Sequence, residues 1–214
     1  MNSAPWRALA LRIILTAVIL VIWFWTQSLI GQRMLPASGL GDGMHTLFAG
    51  WNQYLHGHPR AANALLIISS AFIDLMALFL LGRWIFAGDL RPFAGLVALM
   101  AMRQLCQALC ALPPPPGIIW HYPGFPSLLV TYGVANDFFF SGHTAIAVFA
   151  GTEIARLRRS WLTLLAFVVV LFEIVSVLVL RAHYTMDVVT GILAALYVSR
   201  QASVFNRQEK KTER

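Results

Sequence analysis

The hydrophobic residues of this chain fall into six long runs that are separated by shorter polar segments. The runs cover residues 8–30, 61–81, 92–112, 138–157, 161–180 and 186–205. Because a helix needs about 20 apolar residues to cross a bilayer, this pattern predicts an all-α, polytopic membrane protein with six transmembrane helices in one bundle. The sequence shows no internal repeat and no second domain, so we expect a single domain over residues 1–214.

Lys and Arg residues concentrate on one side of these six runs. With the N-terminus in the cytosol, twelve of the 16 lie on the cytosolic side, three (Arg33, Arg60 and Arg181) lie outside, and Arg103 lies within a run. Cytosolic loops of membrane proteins carry an excess of Lys and Arg, so we predict that both termini are cytosolic. The six His residues lie on or near the outer side, and candidate chemistry is therefore expected at the non-cytosolic face.

The composition agrees with a membrane protein and excludes several other classes. Hydrophobic residues make up 58% and charged residues 12% of the 214-residue chain, whereas soluble domains contain about 25% charged residues. A disordered chain and a soluble enzyme with a charged shell are therefore excluded. The net charge of +7 reports membrane topology, so no nucleic-acid partner is expected. Cys106 and Cys110 are interpreted as packing thiols within one apolar run.

One candidate chemical motif stands at the start of the last run. His183 and Asp187 are four residues apart, so on a helix they face the same side. A carboxylate beside an imidazole fixes its tautomer, and an imidazole held in this way can attack phosphorus. The alternative interpretation is a purely structural His–Asp pair at the mouth of a helix.

A second motif runs from Asn136 to Thr144, at the start of the fourth run. Gly142 lets the backbone approach a ligand closely, and a helix N-terminus favours an anion. Ser141 and Thr144 add hydroxyl donors, and His143 as an imidazolium can protonate a leaving oxygen. This motif therefore predicts a phosphate cradle with a general acid, on the same outer face as the His–Asp motif.

Together these motifs resemble the type-2 phosphatidic acid phosphatase superfamily, and within it most closely the sphingomyelin synthase branch. The Gly-Asp-x-x-x-Ser-Gly-His-Thr motif of that branch corresponds to residues 136–144, and its His-Tyr-Thr-x-Asp-Val motif to residues 183–188. An Arg of its third span stands nine residues before a Leu-Pro turn, as Arg103 does here. Val177 stands where the phosphatase branch has an Arg, which favours the synthase branch. The family-like core covers about residues 92–205.

The resemblance implies an enzyme without metal or other cofactor. It would move a phosphorylated headgroup from a phospholipid donor to a lipid alcohol acceptor, ceramide or diacylglycerol, through a phosphohistidine. It implies that His183 is the nucleophile, Asp187 its partner and His143 the acid that protonates the leaving lipid alkoxide. The residues expected to bind the substrate or its phosphate are Ser141, Gly142, Thr144, Arg103, Asp137, Tyr184 and Arg181.

Three other functions stay open from the sequence. A lipid phosphate phosphatase would use the same residues with water as the acceptor. A non-enzymatic lipid-binding membrane protein would not require all three of His143, His183 and Asp187. A six-span transporter would more often show inverted repeats and broken helices, which are not visible in the sequence.

Charged residues within the apolar runs are the last feature of interest. Arg103 and Asp74 each lie near the middle of a run, where charges are costly and are usually paired or functional. One interpretation pairs the two side chains, and the other assigns Arg103 to the phosphate. Glu173 is a weaker candidate for orienting either motif histidine. The three histidines of residues 31–60 offer a metal site whose spacing is not diagnostic.

Overall fold

The computed structural model describes residues 6–32, 40–132 and 138–202 with their side chains, and Pro5 and 203–212 by their backbone alone. Within these ranges the chain forms helices and no strand. In chain order the helices are α1 (Pro5–Gly31), α2 (Gly43–Leu47), α3 (Ala49–Gly57), α4 (Pro59–Ala87), α5 (Leu90–Leu109), α6 (Gly142–Ala155), α7 (Ser160–Val179) and α8 (Thr185–Thr212).

Among the described residues, four of these helices are long and apolar enough to cross a membrane. They are α1 over Trp6–Gly31, α4 over Pro59–Ala87, α5 over Leu90–Leu109 and α7 over Ser160–Val179. These four match the first, second, third and fifth predicted spans, and the prediction of an all-helical chain is confirmed for the described ranges. The fourth predicted span forms α6, which has only 14 residues. The sixth lies within the 28-residue α8.

Helix α6 lies in the middle of the bundle and packs against α4, α5, α7 and α8. Every residue from 143 to 150 is buried, and three of them are alanines with no exposed surface, Ala145, Ala147 and Ala150. A helix that is buried on all sides belongs to the core, and small side chains let neighbouring helices approach closely. The Ser-Gly-His motif at the start of α6 is therefore held in the interior.

The end of the bundle opposite this motif carries a buried charge network. The Glu153 carboxylate, near the end of α6, accepts a hydrogen bond from Arg91 of α5 at 2.6 Å and forms an ion pair with Arg156 at 3.1 Å. Arg156 also donates to the backbone oxygen of Ser199 in α8 at 3.0 Å. A buried carboxylate needs such partners, and these fix the relative positions of α5, α6 and α8.

Helix α1 is the peripheral helix of the bundle. Only 6% of its most apolar window is buried, and it packs against α4 and α5. A helix of this length with mostly exposed apolar side chains is typical of one that faces lipid. The light packing leaves a space between α1 and α5, which extends to the motif histidines.

Candidate active site

His183 lies in the short turn between α7 and α8, with its ring buried. The turn is closed by Ala182, whose backbone nitrogen donates to the oxygen of Val177 at 2.9 Å, and Arg181 adopts a left-handed φ of 52°. The Nδ1 atom of His183 lies 2.9 Å from the carbonyl oxygen of Phe138. Because a carbonyl oxygen only accepts, Nδ1 carries the hydrogen, and in the neutral ring Nε2 keeps the lone pair.

Asp187, the predicted partner of His183, is buried in the first turn of α8. Its Oδ2 accepts a hydrogen bond from the backbone nitrogen of Tyr184 at 2.9 Å, as in one half of a capping box. The same oxygen is 3.7 Å from Nδ1 of His183, which is longer than a hydrogen bond. Asp187 therefore places a negative charge beside the imidazole, while the carbonyl of Phe138 sets the position of the ring hydrogen.

The start of α6 packs directly against the first turns of α8. The backbone nitrogen of Ser141 donates to the oxygen of Asp187 at 3.1 Å. A Cβ atom on Gly191 would lie 2.8 Å from the oxygen of Ser141, so only glycine permits this approach. The Oγ of Ser141 accepts from the backbone nitrogen of Thr144 at 3.3 Å and so caps α6. The two sequence motifs are thus joined through their backbones.

Arg103 of α5 is buried directly against the Ser-Gly-His motif. Its Nε donates to the carbonyl oxygen of Phe140 at 2.8 Å, and its guanidinium also reaches Oε1 of Gln27 at 3.5 Å. A Cβ atom on Gly142 would lie 3.1 Å from this Nε, so the glycine makes room for the guanidinium. The amides of Gly142 and His143 have no hydrogen-bond partner among the described residues. A guanidinium and a helix N-terminus together favour an anion.

His143 is the second residue of α6 and is buried beside Trp120. The two rings meet edge to face, with 5.3 Å between their centroids. Its Nε2 is buried, and no partner for it exists within the described ranges. Because buried polar atoms are nearly always hydrogen-bonded in folded proteins, this nitrogen is available to a group that enters the site.

One cavity of about 480 Å³ connects these groups. Arg103, His143 and His183 lie in its wall, and most of the remaining lining consists of apolar side chains from α1, α4, α5 and the segment before α6. Along α5 the lining extends from Phe93 to Gln104, roughly 16 Å at the helical rise. The cavity therefore combines a cationic, histidine-containing region with an apolar channel of the shape that a lipid chain fills.

Several residues expected at the substrate lie outside the lining of this cavity. Ser141 and Thr144 bond to each other and cap α6. The hydroxyl of Tyr184 accepts a hydrogen bond from the backbone nitrogen of Leu40 at 3.4 Å, on the outer side of the turn. Asp137 is outside the described residues. Ser141 and Thr144 therefore stabilise the start of α6, and Gly142 is the expected substrate-binding residue of this motif that lines the cavity.

Arg181, in the His183 turn, also lies outside the lining of the cavity. Its guanidinium donates to the carbonyl oxygen of Pro116 at 2.6 Å and to that of His45 at 3.2 Å. A Cβ atom on Gly117 would lie 2.9 Å from this guanidinium. The charge of Arg181 is thus used to bind two loops to the turn, and a direct role at the phosphate stays a prediction.

The charged residues within the long helices have partners that the sequence did not indicate. The carboxylate of Asp74 accepts hydrogen bonds from Oγ of Ser127 at 2.9 Å and from loop amides at 2.8 and 3.1 Å. The alternative pairing of Asp74 with Arg103 is therefore wrong, because a loop folds back onto α4 and satisfies the carboxylate. Glu173 accepts its hydrogen bond from Oγ of Ser69 at 2.7 Å.

The three histidines between α1 and α4 bind backbone carbonyls. The Nε2 of His45 is 2.9 Å from the oxygen of His183, and the Nε2 of His56 is 3.1 Å from the oxygen of Gly117. Nδ1 of His58, which directly follows α3, is 2.8 Å from the carbonyl oxygen of Tyr54 in that helix. In the part of the chain that the structure describes, no three His, Cys, Asp or Glu side chains form a group that could hold a metal.

A segment that the sequence analysis did not single out holds the His183 turn in place. The Oδ2 of Asp42 accepts from the backbone nitrogen of Thr185 at 2.6 Å, and its Oδ1 accepts from the hydroxyl of Thr185 at 2.7 Å. Together with the bond from His45 to His183, these contacts make residues 42–45 a strap across the start of α8. Asp42 is the cap of α2, since its Oδ1 accepts from the backbone nitrogens of Met44 and His45, as an Asp before a helix predicts. Its further partner, Thr185, is 143 residues away.

Changing Asp42 to Asn is expected to lower the melting temperature. Partial burial alone would raise the pKa of this carboxyl, but the hydrogen bonds from Thr185 and His45 outweigh burial and hold the pKa below its ordinary value of 3.8. A carboxyl whose pKa is lowered in the folded protein stabilises it at pH values above the ordinary pKa. This stability is lost as the pH falls through the pKa of the folded state. At pH 7 we expect a decrease of about 2–4 °C.

Thermal unfolding of both proteins in detergent, from neutral pH into acid, measures this effect. The difference between wild type and Asp42→Asn is expected to shrink as the pH falls below the ordinary pKa of an aspartate. Equal melting temperatures at pH 7 would show that the strap does not stabilise the turn.

Comparison with known proteins finds one matching family and a distant relative. A family model described as AtPDCT1/2 matches residues 43–204, a range that includes Arg103 and both histidine motifs. Phosphatidylcholine:diacylglycerol cholinephosphotransferase 1 of Arabidopsis thaliana is 22% identical over 160 residues, which are 75% of this chain and 52% of that protein. The chain thus spans about half the length of the curated relative that it matches.

Proposed function

This chain belongs to the AtPDCT1/2 family, and from that membership we propose that it is a membrane enzyme that moves the phosphorylated headgroup of a phospholipid to diacylglycerol. The observation that carries the proposal is the presence of two buried histidines, His143 and His183, in the wall of one largely apolar cavity. The name of the Arabidopsis relative specifies phosphatidylcholine and diacylglycerol. We therefore take phosphatidylcholine as the first donor to test.

In the proposed membrane arrangement all six helices α1 and α4–α8 cross the bilayer, and both termini are cytosolic. The short α6 and the longer α8 run beside the four long apolar helices in the same bundle. The network around Glu153 then lies towards the cytosol, where Arg residues are favoured. The histidines lie below the non-cytosolic surface, and lipids enter sideways between α1 and α5.

The donor phosphate binds in this proposal where Arg103 meets the start of α6. The guanidinium supplies positive charge, and the amides of Gly142 and His143 supply N–H donors for phosphate oxygens. An acyl chain lies in the apolar channel along α1 and α5, which removes its apolar surface from water. Binding of the chain thereby positions the phosphorus atom between the two histidines.

The first chemical step forms a bond between His183 and phosphorus. The lone pair on Nε2 attacks phosphorus, the bond from phosphorus to the lipid oxygen breaks, and the imidazolium of His143 gives its proton to that oxygen. Diacylglycerol leaves, and the ring of His183 becomes positively charged. The carboxylate of Asp187, 3.7 Å from Nδ1, stabilises this charge, while Nδ1 keeps its hydrogen and donates it to the carbonyl oxygen of Phe138.

The second step returns the enzyme to its starting state. His143, now neutral, accepts the proton of the incoming diacylglycerol hydroxyl, whose oxygen attacks phosphorus as the bond to Nε2 breaks. The headgroup is then carried by the second diacylglycerol, and His143 is again an imidazolium. Proton and headgroup are both conserved over the cycle, so the reaction requires no further cofactor.

Three acceptors compete in principle for the same intermediate. Diacylglycerol is preferred here because the Arabidopsis relative is named for it. Ceramide is the acceptor that the resemblance to sphingomyelin synthases implies. Water would make the protein a lipid phosphate phosphatase. The unpartnered Nε2 of His143, buried in the cavity wall, favours catalysis over a role in lipid binding alone.

The test is a transfer assay with purified protein in mixed micelles. The donor is phosphatidylcholine labelled in its headgroup, the acceptor is diacylglycerol, ceramide or none, and EDTA is present throughout. We expect labelled phosphatidylcholine that carries the acyl chains of the added diacylglycerol. Labelled sphingomyelin would identify ceramide as the acceptor. Labelled free phosphocholine with no labelled lipid product would instead identify a phosphatase.

A further inference from the structure

Asp74 is a carboxylate within the apolar helix α4, and one loop supplies all its hydrogen-bond donors. Its Oδ2 accepts from Oγ of Ser127 at 2.9 Å and from the backbone nitrogen of Leu128 at 2.8 Å, and its Oδ1 accepts from that of Leu129 at 3.1 Å. A carboxylate in a membrane span is costly unless it is satisfied. Asp74 therefore fastens this loop, residues 118–132 (the outer loop), to α4.

The outer loop is attached to the helices at two further points. The backbone nitrogen of Ile119 donates to the oxygen of Leu180, at the end of α7, at 2.8 Å. At its other end, the hydroxyl of Tyr132 is hydrogen-bonded to that of Ser70 in α4. The loop is thus held at its start, its middle and its end, and Asp74 holds the middle.

The outer loop forms the wall of the cavity beside His143. Its residues Trp120, Leu129, Val130 and Thr131 all line the cavity. The Nε1 of Trp120 donates to the carbonyl oxygen of Thr131 at 3.1 Å, and its ring meets that of His143 at 5.3 Å. Leu129 both donates to Asp74 and lines the cavity. The carboxylate thus binds directly to a part of the loop that lines the cavity.

We propose that Asp74 determines acceptor specificity, because it holds the outer loop over His143 and so keeps water from the phosphohistidine. This inference rests on the proposed headgroup transfer. Any hydroxyl that His143 can deprotonate can attack phosphorus as the bond to Nε2 of His183 breaks. With water as the attacking hydroxyl, the product is the free phosphorylated headgroup. The acceptor is therefore decided by which hydroxyl reaches the intermediate.

The geometry separates the two routes of access. On the side of α1, lining residues such as Ile19 and Val97 are apolar, and a lipid alcohol enters there without exposing the site to water. On the side of the outer loop, the cavity is lined by Trp120 and by residues 129–131, the first of which donates to Asp74. Loosening the loop therefore admits water without removing any catalytic group.

The test compares hydrolysis with transfer in two loop variants. Asp74→Asn replaces a carboxylate oxygen by an amide nitrogen, which faces the donors of the loop and cannot accept from them. Ser127→Ala removes one of the three bonds to Asp74, together with the bond that its hydroxyl accepts from the backbone nitrogen of Val130 at 3.1 Å. With headgroup-labelled phosphatidylcholine and diacylglycerol in liposomes, the ratio of free phosphocholine to transferred headgroup is expected to rise about tenfold in Asp74→Asn and about threefold in Ser127→Ala. The summed rate of both products is expected to change by less than about threefold.

Asp89→Asn is the matched control, because it also removes one carboxylate but at the other end of the bundle, where Asp89 pairs with Arg83 at 2.7 Å. Its ratio of free phosphocholine to transferred headgroup is expected to equal that of the wild type.

The inference would be overturned if this ratio were unchanged from the wild type in both Ser127→Ala and folded Asp74→Asn. If Asp74→Asn does not fold, the ratio in Ser127→Ala decides alone. A wild type that transfers no headgroup would instead overturn the proposed function.

Discussion

Replacing His183 with Gln is expected to abolish headgroup transfer and headgroup release together, with turnover reduced by more than about 10⁴-fold. Gln has no ring nitrogen that can bond to phosphorus. Without the phosphohistidine, the headgroup can pass neither to diacylglycerol nor to water. Its side-chain amide can still donate to the carbonyl of Phe138, the partner of Nδ1, and the turn is expected to keep its shape. Initial rates of both products, measured with headgroup-labelled phosphatidylcholine, give the result.

His56→Gln is the matched control for this variant. His56 is exposed in the last turn of α3, where its Nε2 contacts the oxygen of Gly117 at 3.1 Å. The same chemical change there is expected to alter the transfer rate by less than about twofold. If His183→Gln kept a few per cent of the wild-type transfer rate, the nucleophile would have to be a different group.

Replacing His143 with Gln is expected to slow transfer from phosphatidylcholine by about 10²–10⁴-fold, the contribution usual for a general acid or base. A diacylglycerol alkoxide is a poor leaving group and needs the proton that His143 supplies. A donor whose leaving group is already stable as an anion does not need it. The two histidines can therefore be distinguished by changing the leaving group.

The p-nitrophenyl ester of phosphocholine is such a donor, because nitrophenolate leaves without a proton. His143→Gln is expected to release one equivalent of nitrophenolate per enzyme in a fast burst and then to stall, since no base remains to activate the acceptor. His183→Gln is expected to show no burst. Loss of the burst in folded His143→Gln would mean that His143 binds the phosphate or shapes the site and is not the acid.

The long helices and the two histidine motifs could be predicted from the sequence because their signals are local. Continuous apolar runs indicate α1, α4, α5 and α7, and each was found as a helix long enough to span a membrane. The Ser141 cap is likewise local, since the hydroxyl bonds to Thr144 three residues later. Asp187 lies in the first turn of α8, as its position at the mouth of a helix predicts, whereas His183 lies in the turn before α8, which begins at Thr185.

The contacts that orient His183 could not be predicted, because they come from distant backbone atoms and from a separate segment. Its ring hydrogen bonds to a main-chain oxygen, at Phe138, and no side-chain pattern reveals such a partner. Asp42 and His45 reach the turn from residues about 140 positions earlier in the chain. Asp74 was recognised as unusual within an apolar run, but its partners are in a loop whose path depends on tertiary packing.

The most direct test of this account is to trap the headgroup on the enzyme. Purified protein is mixed with headgroup-labelled phosphatidylcholine without acceptor, quenched in alkali, in which phosphohistidine survives, and digested for mass spectrometry. We expect one labelled peptide, modified at His183, whose label passes to lipid when diacylglycerol is added before the quench. A wild-type enzyme that transfers headgroups but carries no label at His183 would contradict the account, because transfer would then occur directly between two bound lipids.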